Sequence, residues 1–171
     1  AGLGIAGLTA ASVGASTVTL CDRDPLALHC AMSTATVCGM QTGPVPSEND
    51  ENAPKNTPDC CTVSATASDW GDLDALHADV VLASEVLYDK SEVASLAKCV
   101  AGLLKRRGGT LFLTDPRRER APGCREAFVS SVTDMGAYDV TVSPLDLDLT
   151  IGMICDKSGE EIVLVRACFE G

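Results

Sequence analysis

Short β-prone runs alternate with helix-prone segments along most of this chain, a pattern that predicts an α/β fold. Strands are predicted at 17–22, 61–67, 79–84, 110–114, 139–142 and 161–167. Helices are predicted at 5–14, 25–38, 89–107 and 125–135, and a capping box of Asp89 and Glu92 opens the third. The run at 79–84 is almost continuously apolar, as buried parallel strands are. Helices between strands favour a mostly parallel sheet, and the last two strands, which no helix separates, are expected to form an antiparallel edge pair.

The acidic charge of the chain limits its partners. The chain contains 24 acidic and 13 basic residues, for a formal net charge of -11 at pH 7. An acidic surface repels phosphate backbones, so we expect no nucleic-acid partner, and a basic protein substrate fits the charge better. Four arginines follow the strand at 110–114, and they either contact an acidic substrate segment or lie on a solvated surface: Arg117, Arg118, Arg120 and Arg125.

Cysteine usage and hydropathy indicate the environment of the chain. The nine cysteines show neither zinc-ligand spacing nor a regular disulfide framework. We therefore predict no metal site and a reducing compartment, the cytoplasm or the nucleus. No apolar run reaches the roughly 18 residues of a membrane span, so no membrane association is expected.

Residues 41–59 differ in composition from the rest of the chain. They contain four prolines and a polar, acidic run from Ser47 to Glu51. Periodic segments continue on both sides, which favours a disordered surface insertion over a domain boundary. We therefore predict a single domain over residues 1–171.

Three glycines near the start match the pattern G-x-G-x-x-G. They are Gly2, Gly4 and Gly7, and Asp22 follows fifteen residues later at the end of the first predicted strand. Such glycines let the backbone approach a nucleotide cofactor, and an acidic residue at that strand end accepts hydrogen bonds from ribose hydroxyls. A chance match in an Ala- and Gly-rich segment is the alternative for the glycines. Asp22 is otherwise a helix cap, although Asp24, which precedes a proline, suits that role better.

Two further pairs of residues follow predicted strands. Asp69 and Trp70 follow the strand at 61–67, and the indole either packs in the core or stacks on a purine at the carboxyl edge of the sheet. Glu85 and Tyr88 follow the strand at 79–84. They either line the ligand cleft or serve as a helix-capping glutamate and a half-buried tyrosine.

Taken together, these residues resemble a known family. The matching segments are Gly2-x-Gly4, Val18 to Leu26, Asp69-Trp70 and Leu82 to Tyr88. From residue 1 to about residue 143 the chain resembles the seven-strand S-adenosylmethionine-dependent methyltransferases of the protein-lysine methyltransferase-like group. The resemblance implies a Rossmann-like sandwich that binds S-adenosylmethionine and methylates a protein lysine.

The resemblance also implies roles for individual residues. Gly2 and Gly4 correspond to the loop that cradles the methionine portion of the cofactor, and Asp22 to the acidic residue that binds the ribose. Asp69 and Trp70 correspond to contacts on the adenine side. The catalytic residues implied by the resemblance are Glu85 and Tyr88, which shape the side of the site that receives the substrate amine.

The chain departs from the family at its start. The family has a strand with an acidic residue just before the position of Gly2, and this strand is missing here. We therefore expect an N-terminally incomplete domain that lacks its first strand. Two other functions stay open. An NAD(P)-binding Rossmann oxidoreductase explains the glycines and Asp22 but neither Asp69-Trp70 nor Glu85, and a non-catalytic remnant would act as an interaction module.

Overall fold

The computed structural model describes residues 1–45, 61–73, 76–117, 119–145 and 162–171. Most of the insertion predicted at 41–59 lies outside these described residues, and so does Arg118. The chain forms two compact units, Ala1–Leu76 and His77–Gly171. The single domain predicted for 1–171 stays a prediction, since two compact units can belong to one domain.

The N-terminal unit is built around a parallel sheet. Its elements are α1 (Ile5–Ser12), β1 (Thr17–Asp22), α2 (Pro25–Val37), β2 (Gln41–Thr42), β3 (Thr62–Ala67) and a 3-10 turn at Trp70–Asp72. The strand order is β1-β3-β2, with both pairs parallel. The sequence predicted all of these elements except β2 and the 3-10 turn.

The core of this unit consists of small and medium apolar side chains. They are Leu8, Ala11, Leu20, Leu28, Ala31, Ala35 and Val63. Helix α1 lies unusually close to β1 because Gly7 has no side chain. A Cβ at Gly7 would come within 2.5 Å of Leu20 Cδ2 and 3.1 Å of Val18 Cγ1. The third glycine of the pattern therefore serves helix–strand packing.

The C-terminal unit contains a mixed sheet. Its elements are β4 (Val80–Ser84), α3 (Val93–Lys105), β5 (Gly109–Pro116), α4 (Cys124–Asp134), β6 (Tyr138–Pro144) and β7 (Ile162–Phe169). The strand order is β4-β5-β7-β6, in which β4 is parallel to β5 and β7 is antiparallel to both of its neighbours. The predicted antiparallel pair of late strands is thus confirmed.

The predicted capping box of α3 is wrong. The helix begins at Val93, and Glu92 stands at its N-cap with a helical backbone and no capping side-chain bond. Asp89 instead accepts hydrogen bonds from the backbone amide of Ser91 at 2.9 Å and from its hydroxyl at 2.6 Å. The carboxylate of Asp89 therefore bonds to Ser91 in a local turn that precedes the helix, and it does not cap the helix.

Strand β4 is less buried than its apolar sequence predicts. The side chains of Val80 and Leu82 are 51% and 44% exposed. The reason is its outer position: β4 pairs with β5 on one side, and no other described strand pairs with it. In its own sheet β1 is likewise an outer strand. These pairings do not test the strand expected before Gly2, which stays a prediction.

The longest helices in the described ranges, α2 and α3, have 13 residues each. No helix in this part of the chain is long and apolar enough to cross a membrane.

Candidate functional site

In the N-terminal unit the candidate cofactor residues follow the ends of two neighbouring strands. Asp22, the last residue of β1, lies opposite Ala67, the last residue of β3. The backbone amide of Ser68 donates to the carbonyl of Asp22 at 3.0 Å, and Asp69 and Trp70 come next. The structure therefore brings the Asp69-Trp70 segment to the same sheet edge as Asp22, as the sequence predicted.

The glycine turn lies against this edge. Gly2 and Gly4 have positive φ angles of +53° and +76°, which favour glycine, and α1 starts directly after Gly4. The amide of Gly2 donates to Oδ2 of Asp22 at 2.7 Å. A Cβ at Gly2 would meet no atom within 4 Å, whereas one at Gly4 would come within 2.8 Å of the Cβ of Ala31. Gly4 thus permits close packing, while Gly2 leaves open space beside the carboxylate.

Asp22 is held as an ionised carboxylate. Oδ2 accepts from the terminal ammonium of Ala1 at 2.5 Å as well as from Gly2, and Oδ1 accepts from the amide of Asp24 at 3.0 Å. Burial, the largest influence, raises the pKa of Asp22, but the hydrogen bonds from Ala1, Asp24 and Gly2 outweigh it and lower the pKa to about 2. At neutral pH the carboxylate accepts hydrogen bonds only, which suits a partner that presents hydroxyl groups.

The alternative role for Asp22, a helix cap, is excluded. The carboxylate of Asp24 accepts the amide of Leu26 at 2.9 Å, and Asp24 is the N-cap of α2 with Pro25 at the first helical position. Asp24 therefore caps α2, as the sequence predicted, and the cofactor role of Asp22 stays a prediction.

Asp69 and Trp70 begin a short surface turn. The side chain of Asp69 is exposed and makes no capping bond to the 3-10 turn that follows it. Trp70 is half-buried and does not belong to the buried core of its unit. Full burial of Trp70 in the core of its unit is thus excluded.

In the C-terminal unit Glu85 occupies a fixed and unusual position. It follows β4 with a φ of +53°, a left-handed conformation that costs of order 1 kcal/mol or more for a residue with a side chain. Its amide donates to the carbonyl of Thr114 on β5 at 2.9 Å. The hydroxyl of Thr114 donates to that of Ser84 at 3.0 Å. Glu85 therefore stands at the carboxyl ends of two parallel strands, with its side chain 49% exposed.

Glu85 is not a helix-capping residue, because α3 begins eight residues later at Val93. Tyr88, three residues after Glu85, is 46% exposed. Leu87, between them, is 2% exposed and anchors the segment in the core. The side chains of Glu85 and Tyr88 are thus partly exposed, while the amide of Glu85 and the side chain of Leu87 fix the segment that carries them.

The sequence did not predict the partners of the arginines that follow β5. Arg120 forms an ion pair with Glu85, and Arg125 forms one with Asp115 at 2.6 Å. Arg125 is therefore neither a substrate contact nor part of a solvated surface, since its side chain is 13% exposed. The alternation of side chains along β5 could have predicted that Asp115 is buried, because Asp115 lies on the same inward face as Leu111 and Leu113. A buried carboxylate needs a cationic partner such as Arg125.

No group of three or more His, Cys, Asp or Glu side chains within the described ranges is arranged to hold a metal ion.

Comparison with known proteins shows the fold. No family model and no curated protein sequence matches the chain. The N-methyltransferase NodS from Bradyrhizobium japonicum WM9 matches with a TM-score of 0.62 and 17% identity, over 100% of this chain and 82% of NodS. Magnesium protoporphyrin IX methyltransferase ChlM from Synechocystis PCC 6803, solved with bound S-adenosylmethionine, matches with a TM-score of 0.58 and 16% identity, over 98% of this chain and 66% of ChlM. The chain spans 65% of a second NodS structure, which is in complex with S-adenosyl-L-homocysteine.

The fold is thus the α/β fold found in S-adenosylmethionine-dependent methyltransferases, which confirms the Rossmann-like fold that the sequence predicted. The same fold also serves another reaction. The [4+2]-cyclase SpnF matches with a TM-score of 0.65 and 15% identity, over 99% of this chain and 72% of SpnF. Function therefore has to be argued from the residues of this chain.

Proposed function

We propose that this chain is an S-adenosylmethionine-dependent methyltransferase that acts on the side-chain amine of a protein lysine. The observation that carries the proposal is the hydrogen bond from Gly2 to Asp22. It places a glycine turn beside an ionised carboxylate, in a fold for which structures with S-adenosylmethionine and S-adenosyl-L-homocysteine are known.

The residues of the N-terminal unit fit a nucleoside ligand. Oδ1 of Asp22 accepts one hydrogen bond from the protein, and a carboxylate oxygen has room for about two, so it can accept a ribose hydroxyl. The open space at Gly2 allows the ligand to approach the backbone. Trp70 is half-buried at the same sheet edge and supplies an indole on which an adenine can stack. We assign cofactor binding to Gly2, Gly4 and Asp22, with Asp69 and Trp70 on the adenine side.

The residues of the C-terminal unit suit an amine acceptor. When bound, S-adenosylmethionine supplies a methyl group on a positively charged sulfur, ready for in-line attack. A lysine amine with a pKa of about 10.4 is neutral in roughly 1 of 2,500 molecules at pH 7, a deficit of about 4.6 kcal/mol. Glu85, whose side chain is 49% exposed, would receive the amine and orient its N–H groups. Tyr88 would shield the amine through its ring face.

Two observations support a basic protein as the acceptor. The chain has a formal net charge of -11, which attracts a basic partner. The Glu85 carboxylate binds a guanidinium in this structure, so its surroundings accommodate a cation.

Binding and transfer measurements test the proposal. Calorimetric titration with S-adenosyl-L-homocysteine and, separately, with NAD should show binding of the first only. Labelled S-adenosylmethionine should transfer its methyl group to a lysine-containing peptide, and the same peptide with norleucine at that position is the matched control. Binding of NAD alone would indicate the oxidoreductase, and binding of neither would indicate an interaction module.

A further inference from the structure

The connection between β5 and α4 is anchored by Arg125. Nε and Nη2 of Arg125 donate to Oδ2 of Asp115 at 3.1 and 2.6 Å, and Nη2 also donates to the carbonyl of Pro116 at 2.5 Å. The backbone amide of Arg125 donates to Oε2 of Glu119 at 3.2 Å. Asp115 is 2% exposed. One buried arginine thus ties the start, the middle and the end of this connection together.

The anchored connection presents Arg120 to Glu85. Nη2 of Arg120 donates to Oε2 of Glu85, across 35 positions of the sequence. Glu85 is itself fixed by its left-handed backbone and by the bond from its amide to Thr114. Glu85 is therefore held by its backbone, and Arg120 follows Glu119, whose carboxylate accepts the amide of Arg125; the side chains of Arg120 and Glu85 are 62% and 49% exposed.

An ion pair between exposed side chains contributes little free energy, because solvent screens both charges. The pair is formed in the structure, and its small free energy allows another cation to replace Arg120 on Glu85. We propose that Arg120 is an internal competitor that limits the affinity of Glu85 for cations: it holds Glu85 until the primary ammonium of the acceptor replaces it. This inference rests on the proposed function, since it assigns the acceptor amine to Glu85.

The competition affects cationic acceptors only. A cationic acceptor recovers the charge pairing that is lost when Arg120 leaves, whereas a neutral acceptor leaves Arg120 on Glu85 and gains nothing. The affinity for the cation is reduced by the fraction of molecules in which Arg120 occupies Glu85. Removal of Arg120 should therefore raise the affinity for a cation and leave that for a neutral side chain unchanged.

NMR titration of the full chain tests this with two small probes, Nα-acetyl-lysine methylamide and its uncharged isostere Nα-acetyl-norleucine methylamide. In Arg120→Ala we expect about two- to fivefold tighter binding of the lysine probe and no change for the norleucine probe. Arg120→Lys should behave as the wild type. The gain should disappear in the double variant Arg120→Ala/Glu85→Gln.

Arg166→Ala is the matched control, because Arg166 forms an exposed ion pair with Asp139 at 2.7 Å elsewhere in the same sheet. It should change the binding of neither probe. Unchanged, weaker or undetectable binding of the lysine probe in Arg120→Ala overturns the inference, and so does an equal gain for both probes. Methyl transfer measured in parallel separates the two proposals. If the lysine probe binds more tightly in Arg120→Ala in a way that depends on Glu85, but no methyl group is transferred, the inference holds and the proposed function is wrong. If methyl transfer occurs but the lysine probe does not bind more tightly, the proposed function holds and the inference is wrong.

Discussion

The backbone amide of Asp24 donates to Oδ1 of Asp22 at 3.0 Å, while the carboxylate of Asp24 accepts the amide of Leu26 at 2.9 Å. One aspartate thus supports the other, and only Asp24 caps α2. Asp22 keeps a pKa near 2 and a position beside the glycine turn. Under the proposed function we therefore expect separable effects: Asp22 should act on ligand binding and Asp24 on helix stability.

Substitution at these two positions should separate the effects. Asp22→Ala should weaken the binding of S-adenosyl-L-homocysteine by about 1.5–3 kcal/mol, the typical loss for hydrogen bonds to a charged acceptor. Asp24→Ala should lower the free energy of unfolding by about 1 kcal/mol through the lost cap, with little change in affinity. Calorimetric titration and urea unfolding measure the two quantities. The reverse pattern would mean that the strand end is misassigned.

The depressed pKa of Asp22 predicts a pH dependence of stability. The folded pKa of about 2 lies below the ordinary value of 3.8, so the ionised carboxylate stabilises the fold above about pH 4. This contribution, about 1 kcal/mol after solvent screening, should be lost as the pH falls from about 4 to about 2. The difference in unfolding free energy between the wild type and Asp22→Asn should shrink over that window. A constant difference from pH 5 to pH 2 would contradict the hydrogen bonds assigned to the Asp22 carboxylate.

Arg125 should matter far more for stability than its position after a strand suggests. Arg125→Ala leaves Asp115 buried without its guanidinium, which should cost about 3–5 kcal/mol of unfolding free energy. The matched control Arg166→Ala removes an exposed pair and should cost about 0–1 kcal/mol. Urea unfolding of both variants checks the difference. Equal losses would mean that Arg125 is not the anchor of its connection.

Glycines in two helices give a steric test of the packing of α1 on β1. Gly7→Ala forces a methyl group to within 2.5 Å of Leu20, whereas Gly102→Ala in α3 meets no atom within 4 Å. Both variants gain helix propensity, so that contribution cancels in the comparison. Gly7→Ala should therefore be less stable than Gly102→Ala by about 1–3 kcal/mol, the usual cost of overpacking. Equal melting temperatures would contradict the close contact.

Local patterns predicted most of the secondary structure. The strand from Thr17 to Asp22 and the helix that starts at Pro25 were predicted with their observed bounds or nearly so, because residue composition and a proline mark them. The start of α3 was predicted incorrectly, because Ser91 competes for Asp89 in a way that spacing does not show. Strand β2 has only two residues, too few for a periodic signal.

Contacts between distant segments were harder to predict. The cofactor residues follow from a simple rule, since the ends of parallel strands share a sheet edge. The pairing of Arg120 with Glu85 depends on the path of an irregular connection, which residue types alone do not determine. The prediction that β4 is buried was wrong for a related reason. An apolar run predicts a strand, but the number of strands that pair with it depends on the whole sheet.

Substitutions of Glu85, Tyr88 and Trp70 should distinguish residues that act on the acceptor from residues that bind the cofactor. Glu85→Gln and Tyr88→Ala should lower methyl transfer about 30- to 1,000-fold, since loss of one positioned group at the reacting atom costs about 2–4 kcal/mol of barrier. Affinity for S-adenosyl-L-homocysteine should stay within about threefold, because the proposed function assigns neither residue to the cofactor. Trp70→Ala should do the opposite and weaken cofactor binding first. Single-turnover transfer of a labelled methyl group, beside direct titration, measures both quantities, and near-normal turnover in Glu85→Gln would remove Glu85 from the catalytic site.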